Sequence, residues 1–124
     1  MIIDTSALVA FLKNEIGAGV VERHFGGACI SGVTLAETAG RMERDGIPSA
    51  DTVRAFTSTP IEIVQFDAEQ AIQAGVLIQR VRGRNLSFAD CCCLALAIVR
   101  KLPVLAADRP WRGVELPIEV RLIR

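Results

Sequence analysis

Short apolar runs alternate with longer amphipathic segments along the whole chain. The runs that are typical of buried strands cover residues 2–3, 28–31, 61–64 and 103–106. In the segments between them, apolar residues recur at helical spacing. Strands that are separated by helices predict a parallel sheet, because a parallel connection must cross back over the sheet. A last segment, residues 119–123, alternates polar and apolar positions and predicts an edge strand.

The same pattern predicts helices with recognisable start signals. They cover residues 8–12, 18–25, 32–44, 50–56, 68–81 and 88–99. Ser49, Asp67 and Ser87 precede three of them as N-cap residues. Helices on both faces of a sheet make a three-layer α/β/α architecture, here with a central, mainly parallel sheet of about five strands. No linker or composition shift interrupts the chain, so we expect a single domain over residues 1–124.

The composition is strongly apolar and electrically balanced. Apolar residues make up 51% of the 124 residues, and the mean hydropathy is +0.38. A sheet covered on both faces and an apolar surface kept for a partner both raise these values. The formal net charge of zero excludes a global field that attracts a polyanion. All basic residues except Lys13 and Lys101 are arginines, which bind phosphates in a bidentate way.

Neither a membrane segment nor a cysteine framework is predicted. The longest uncharged apolar run in the C-terminal half, residues 91–99, is too short to span a bilayer. The early charge of Asp4 does not fit a signal peptide, so we expect a cytoplasmic protein. Three of the four cysteines are consecutive, at positions 91–93. Consecutive residues do not supply the spaced ligands of a zinc site, which leaves reduced core side chains as the prediction.

Acidic residues follow three of the predicted strands. Asp4 comes directly after the first strand, Glu37 a few residues after the second, and Asp108 after the fourth. The carboxyl ends of parallel strands lie at one edge of a sheet, so we expect these carboxylates to converge there. Carboxylates that lie close together repel each other unless a cation lies among them. Oxygen ligands favour Mg²⁺ or Mn²⁺, and such a site needs no imidazole or thiolate.

Most of these acids also have a structural interpretation, and these alternatives stay open. Thr34 with Glu37, and Ser87 with Asp90, both match the capping box that closes the start of a helix. Asp108 is typical of a turn. The acid at position 4 is different, because the sequence suggests no stabilising role for a carboxylate that directly follows a buried strand.

Asp90 joins the other acids only under a condition on the helix before it. A helix over residues 68–82 that runs antiparallel to the strands ends roughly 22 Å from the carboxyl edge. The loop 83–87 returns at most about 17 Å when it is fully extended. Asp90 therefore reaches the cluster only if this helix crosses the sheet obliquely.

Four motifs resemble those of PIN-domain proteins, in particular the VapC toxins of toxin–antitoxin pairs. They are MIIDTSAL at the start, VTLAE at residues 33–37, LSFAD at residues 86–90 and PVLAADRPW at residues 103–111. Each motif is weak by itself, but the four follow the family order over the whole chain. The resemblance implies a PIN-like three-layer fold and a metal-dependent endoribonuclease that hydrolyses RNA phosphodiester bonds as the toxin of such a pair.

The resemblance also implies roles for individual residues. The acidic cluster that would bind Mg²⁺ or Mn²⁺ consists of Asp4, Glu37, Asp90 and Asp108. Thr5 or Ser6, together with Ser87, would orient ligands or waters. Glu37 would share a second ion or polarise the attacking water. The products would carry a 5′-phosphate and a 3′-hydroxyl.

Substrate contacts and partners are further expectations. The arginines near the acidic residues that suit RNA phosphates are Arg80, Arg82, Arg84, Arg109 and Arg112. Ordinary surface charge, or salt bridges to an acidic partner, explains them equally well. Members of the family usually form homodimers and bind an antitoxin, here a VapB-like protein, in an apolar groove. Candidates for this groove, some of them explained as well by core packing, are Leu12, Val20, Val21 and Phe25.

Three other functions remain as alternatives. A haloacid-dehalogenase-like phosphatase also begins with an acid at a strand end, but it needs a second Asp where Ser6 stands. A receiver-like phosphoacceptor needs a lysine late in the sheet, whereas Lys101 precedes its strand. An inactive PIN-like binding module has no reason to keep all of the acids.

Overall fold

Parallel strands form one sheet at the centre of the structure. The computed structural model describes residues 1–107 and 115–124. The strands are β1 (Ile2–Ile3), β2 (Cys29–Ser31), β3 (Glu62–Val64), β4 (Val104–Ala106) and β5 (Val120–Leu122). This 5-stranded sheet has the order β3-β2-β1-β4-β5, and every neighbouring pair is parallel. The predicted parallel sheet is confirmed, with β1 in its middle and β5 at one edge.

Helices connect β1 to β2, β2 to β3 and β3 to β4. They are α1 (Thr5–Leu12), α2 (Ala18–Arg23), α3 (Gly32–Arg44), α4 (Ser49–Thr57), α5 (Ala68–Arg80) and α6 (Phe88–Arg100). Each corresponds to a helix predicted from the sequence, but the predicted cap of α4 is wrong, because Ser49 is its first residue and Pro48 is its N-cap. The largest difference is at the start of α1, which begins at Thr5 because the side chain of Asp4 caps it.

The strands present alternate residues to two separate cores. Ile3 and Leu105 lie in the core that α1, α2, α3 and α4 complete. Ile2 and Val104 lie in the opposite core, against α5 and α6. Side chains of a strand alternate between its two faces, so both faces of this sheet are buried. Two layers of helices therefore enclose the sheet, which confirms the three-layer α/β/α architecture.

The side chains that were candidates for a partner groove belong largely to the core. Val21 is 0% exposed and Phe25 is 8% exposed, and both pack in the core beneath α1 and α2. Leu12 and Val20 are partly buried against the same core. Large apolar side chains that do face solvent are found elsewhere, among them Ile16, Ile72, Val76 and Phe88.

The cysteines behave as the sequence predicts. All of Cys29, Cys91, Cys92 and Cys93 are free and buried. Among the described helices, none combines the length and the apolar character that crossing a membrane requires.

Candidate active site

Asp4 lies at the junction between β1 and α1. Its Oδ2 accepts hydrogen bonds from the backbone N–H of Ser6 at 3.0 Å and from Ser6 Oγ at 2.7 Å. The carboxylate is therefore the N-cap of α1, so the expectation that Asp4 has no structural role is wrong. The residue is only 5% exposed. An uncharged Asn or Ser caps a helix equally well, so the cap alone does not explain why a charge is buried here.

Glu37 lies in α3 and takes no part in capping it. The N-cap of α3 is Ser31, whose Oγ accepts a hydrogen bond from the N–H of Val33 at 3.1 Å. The capping box that the sequence offers for Thr34 and Glu37 is therefore wrong, because the helix begins earlier than that box requires. The carboxylate of Glu37, with 23% of its side chain exposed, remains available to the site.

Asp90 lies in the first turn of α6 and does form its predicted capping box. Its Oδ2 accepts a hydrogen bond from the N–H of Ser87 at 2.8 Å, and its own N–H donates to Ser87 Oγ at 3.1 Å. The structural and the functional interpretation are compatible, since Asp90 also lines the same cavity as Asp4 and Glu37. Ser87 holds the carboxylate at that cavity.

Asp90 reaches the other acids because α5 ends beside the start of α6. Val81 and Leu86, which follow α5, line one small cavity together with Phe88 and Cys91 of α6. The C-terminal part of α5 and the first turns of α6 also share the core on that face of the sheet. Helix α5 is shorter and the connection after it longer than the sequence predicts, since α5 ends at Arg80 and leaves residues 81–87 for the return to the cavity of Asp4.

One cavity of about 610 Å³ collects most of the predicted site residues. Its predicted members are Asp4, Thr5, Ser6, Glu37, Arg84, Ser87 and Asp90. Arg80 and Arg82 do not line it. Asp108, Arg109 and Arg112 lie outside the described residues. Sequence reasoning missed Arg41 and Asn85, which also line the cavity; Arg41 follows Glu37 by one helical turn, a spacing that places both on one helix face.

Burial and mutual repulsion act on the carboxylates of this cavity. Burial is the main reason that the pKa of Asp4 is raised to about 6, and the charges of Asp90 and Glu37 raise it further. The hydrogen bonds from Ser6 oppose this increase. The pKa of Asp90 is also raised, mainly by burial and then by Glu37, while its bonds with Ser87 and the charge of Arg41 lower it. These acids are close enough to repel one another.

The donor set fits a hard divalent cation. The acidic side chains offer only oxygen ligands, and a cation among them would relieve both their desolvation and their repulsion. Within residues 1–107 and 115–124, no three acidic, histidine or cysteine side chains already close on a single metal position. The described carboxylates therefore line the site without forming a complete ligand set, and Asp108 lies beyond them in sequence.

Ser6 ties the acidic site to the neighbouring strand. Its Oγ donates to Asp4 and also accepts the N–H of Ala107, just after β4, at 2.9 Å. Ser6→Ala leaves that N–H without its partner, so we expect a loss of about 1–3 kcal/mol in the free energy of unfolding. Urea unfolding at pH 7.5 measures this loss. Ser58→Ala, which removes an exposed hydroxyl bonded to the carbonyl of Arg54, is the matched control; equal losses in both variants would contradict the role of Ser6.

Comparison with known proteins identifies the family. The profile of the PIN domain matches residues 1–115. The chain belongs to the PIN domain family. The resemblance that the four sequence motifs indicate is thereby confirmed. A protein named ribonuclease VapC from Mycolicibacterium smegmatis is 32% identical over 124 aligned residues, which cover 90% of this chain and 94% of that protein.

Solved structures share the fold of this PIN domain. A chain of a toxin–antitoxin complex from Klebsiella pneumoniae superimposes with a TM-score of 0.78 at 19% identity, covering 99% of this chain and 97% of that one. The sarcin–ricin loop cleaving toxin VapC20 of Mycobacterium tuberculosis gives a TM-score of 0.70 at 20% identity, covering 86% and 88%. At these identities the likeness establishes the α/β/α fold and not the activity.

Proposed function

We propose that this PIN domain is a metal-dependent endoribonuclease that hydrolyses RNA phosphodiester bonds as the toxin of a toxin–antitoxin pair. The observation that carries the proposal is the cavity in which Asp4, Glu37 and Asp90 meet from three separate elements. Burying a carboxylate that must ionise at neutral pH costs stability, as the raised pKa of Asp4 indicates. A function that needs the charge explains this cost. The similarity to a protein named ribonuclease VapC supports the same conclusion.

The acidic residues of the cavity, and the two serines bonded to them, have chemical roles in this proposal. Asp4 and Asp90 would hold Mg²⁺ or Mn²⁺, with Asp108 as a third ligand directly or through water. Ser6 and Ser87 keep the first two carboxylates oriented through the hydrogen bonds described above. Bound in this way, the metal would activate a water molecule and neutralise charge on the phosphoryl oxygens.

Glu37 would receive the proton of the attacking water or share a second ion. Its carboxylate is more accessible than that of Asp4, and its only ion-pair partner within the described residues is Arg41, at 3.9 Å. A carboxylate with so weak a partner remains free to accept a proton at Oε1 or Oε2.

The proposal is tested by the metal dependence of RNA cleavage. We expect the purified protein to cleave labelled RNA with Mn²⁺ or Mg²⁺, to stop when EDTA is in excess, and to resume when the metal is restored. Products with a 5′-phosphate and a 3′-hydroxyl are expected on sequencing of the RNA ends. Cleavage that continues unchanged in EDTA, or no cleavage under any of these conditions, would contradict the proposed function.

The toxin role further predicts protein partners in the cytoplasm. We propose a VapB-like antitoxin as one partner and a homodimer as the assembly. Exposed apolar side chains on α5, such as Ile72 at 67% and Val76 at 52% exposure, offer surface for such contacts. Related folds occur in VapBC complexes, such as one from Salmonella typhimurium. Sedimentation of the protein alone tests the homodimer, and sedimentation with the product of the neighbouring gene tests the antitoxin complex.

The alternative functions receive no support from the arrangement of the site. Ser6, at the position where a phosphatase of the haloacid dehalogenase type needs its second Asp, binds Asp4 and Ala107. Lys101 follows α6 and precedes β4, so it lies at the edge of the sheet opposite Asp4. A receiver-like phosphoacceptor needs that lysine beside its acids.

A further inference from the structure

Arg41 brings a positive charge into the acidic cavity from α3. Its Nη2 lies 3.9 Å from Oε1 of Glu37, and the Arg41 side chain is 44% exposed. That distance is too long for a hydrogen bond. An exposed ion pair at this separation is weak, because water screens it. The contact with Glu37 therefore does not account for the position of the guanidinium.

Other arginines of the described residues are bound much more firmly. Arg100 donates to both carboxylate oxygens of Glu62, at 3.2 and 2.8 Å. Arg121 donates to both oxygens of Glu119, at 2.9 and 3.0 Å. The only ion pair of Arg41 within the part of the chain that the structure describes is the long one to Glu37, and no side-chain hydrogen bond holds its guanidinium there. Its planar set of donors remains available to a ligand.

A second guanidinium lines the same cavity from a different element. Arg84 lies in the loop between α5 and α6 and shares the cavity with Arg41 and the carboxylates. The charge of Arg41 also lowers the pKa of Asp90, so it acts within reach of the acids. An acidic site repels a polyanion, and cations on its walls offset that repulsion.

We propose that Arg41 binds a backbone phosphate of the RNA substrate, and that Arg84 binds a second phosphate of the same strand. This inference rests on the proposed ribonuclease function and adds Arg41 to Arg84, which the sequence already predicts as a phosphate contact. A guanidinium matches two oxygens of a phosphate in a bidentate pair. Phosphate contacts position a strand without reading its bases. Loss of Arg41 therefore weakens binding to all RNA sequences alike.

The direct test measures RNA binding in the absence of cleavage. In an Asp4→Asn background, fluorescence anisotropy with labelled single-stranded RNA gives Kd at several salt concentrations. Adding Arg41→Gln is expected to weaken binding roughly tenfold. The slope of log Kd against log salt is expected to fall by about 0.7, the value for one lost phosphate contact with a single strand. Arg41→Lys keeps the positive charge but loses the planar, bidentate donors of the guanidinium, so it should retain part of the affinity.

Arg44→Gln is the matched control on the same helix. The Arg44 side chain is 75% exposed, its Nε lies 4.0 Å from Asp45, and it does not line the cavity. We expect its RNA affinity and salt slope to equal those of the Asp4→Asn parent. Thermal unfolding of both glutamine variants should match the parent, because neither arginine holds a strong contact. Equal binding by Arg41→Gln and the parent, or equal losses in Arg41→Gln and Arg44→Gln, would overturn the inference.

Steady-state kinetics in the active protein separates substrate binding from an effect on Glu37. Arg41→Gln is expected to raise KM roughly tenfold while kcat changes by less than about twofold. A lower kcat with unchanged KM would place the action of Arg41 on Glu37 and contradict a phosphate contact. If the parent cleaves RNA but Arg41→Gln binds it normally, only this inference fails. If the parent neither cleaves nor binds RNA, the proposed function fails and this inference fails with it.

Discussion

Asp4→Asn is expected to abolish RNA cleavage while the protein keeps its fold. Asn preserves an oxygen that accepts the hydrogen bonds from Ser6, and it is as good an N-cap as Asp. The substitution removes the negative charge that would hold the metal. Metal ions contribute several kcal/mol to the stabilisation of such a transition state, so the cleavage rate should fall by roughly a hundredfold or more. Initial rates on labelled RNA with saturating Mn²⁺ measure the effect.

The chain contains a matched control for this substitution. Asp67 is the N-cap of α5, where Oδ1 accepts a hydrogen bond from the N–H of Gln70 at 2.9 Å, and it does not line the acidic cavity. Asp67→Asn makes the same chemical change at another helix start, and its cleavage rate should equal that of the parent. A parent-like rate in Asp4→Asn would refute the metal site. Equal losses in both variants would indicate a general effect of altered caps.

The same Asp4→Asn variant should be more stable than the parent when no metal is present. The folded protein raises the pKa of Asp4 from 3.8 to about 6 because the carboxyl is buried, and it is only 5% exposed. A shift of about two units corresponds to about 3 kcal/mol of unfavourable free energy for the ionised group at neutral pH. An uncharged amide avoids this cost. The midpoint of thermal unfolding should rise by up to roughly 10 °C at pH 7.5 in EDTA.

The pH dependence of stability tests independently whether ionised Asp4 destabilises the folded protein. Below pH 3.8 the carboxyl is protonated in both the folded and the unfolded protein, and it carries no ionisation cost. Between pH 3.8 and about 6 the folded protein holds the proton more tightly, so parent stability falls as pH rises. Above about pH 6 the cost is complete. The stability difference between Asp4→Asn and the parent should therefore grow across this window and then level off.

Divalent metal should reverse the order of stability. Mn²⁺ that binds only the folded parent stabilises it by about 4 kcal/mol at a concentration about a thousand times its Kd, which exceeds the burial cost of about 3 kcal/mol. Asp4→Asn should gain little, and Asp67→Asn should respond as the parent does. Denaturant unfolding in EDTA and in Mn²⁺ measures the difference in stability between the parent and Asp4→Asn without and with the metal. Equal stability of parent and Asp4→Asn at pH 7.5 in EDTA would show that the Asp4 carboxylate carries no burial cost.

The two capping-box matches show where local sequence information ends. Both Thr34-x-x-Glu37 and Ser87-x-x-Asp90 have the residue types of the box. Only the second forms it, because α3 already starts at Gly32 with Ser31 as its cap. The motif describes which bonds are chemically available. Which residue becomes the cap depends on where the preceding strand ends, and that depends on the pairing of β2 with β1 and β3.

The arginines near the site also show how far local sequence information can predict contacts. Proximity in sequence suggested Arg80, Arg82 and Arg84 as RNA contacts, but only Arg84 lines the cavity. Residues that are two positions apart at the end of a helix point in different directions. Arginines that are close in sequence therefore need not line the same surface. Arg41 lies far in sequence from these arginines, although its helical spacing from Glu37 places it on the same face of α3.

The sequence by itself determined the elements, their order and the family. Apolar periodicity and cap residues predicted the strands and helices, since these depend on interactions between near neighbours along the chain. Motif order was sufficient for the PIN domain resemblance. Only the tertiary structure decided that the end of α5 lies beside the start of α6, that Asp90 thereby reaches the cavity of Asp4, and that Arg41 lines the same cavity from α3. It also decided the burial of Asp4, because desolvation depends on packing between elements that are distant in sequence.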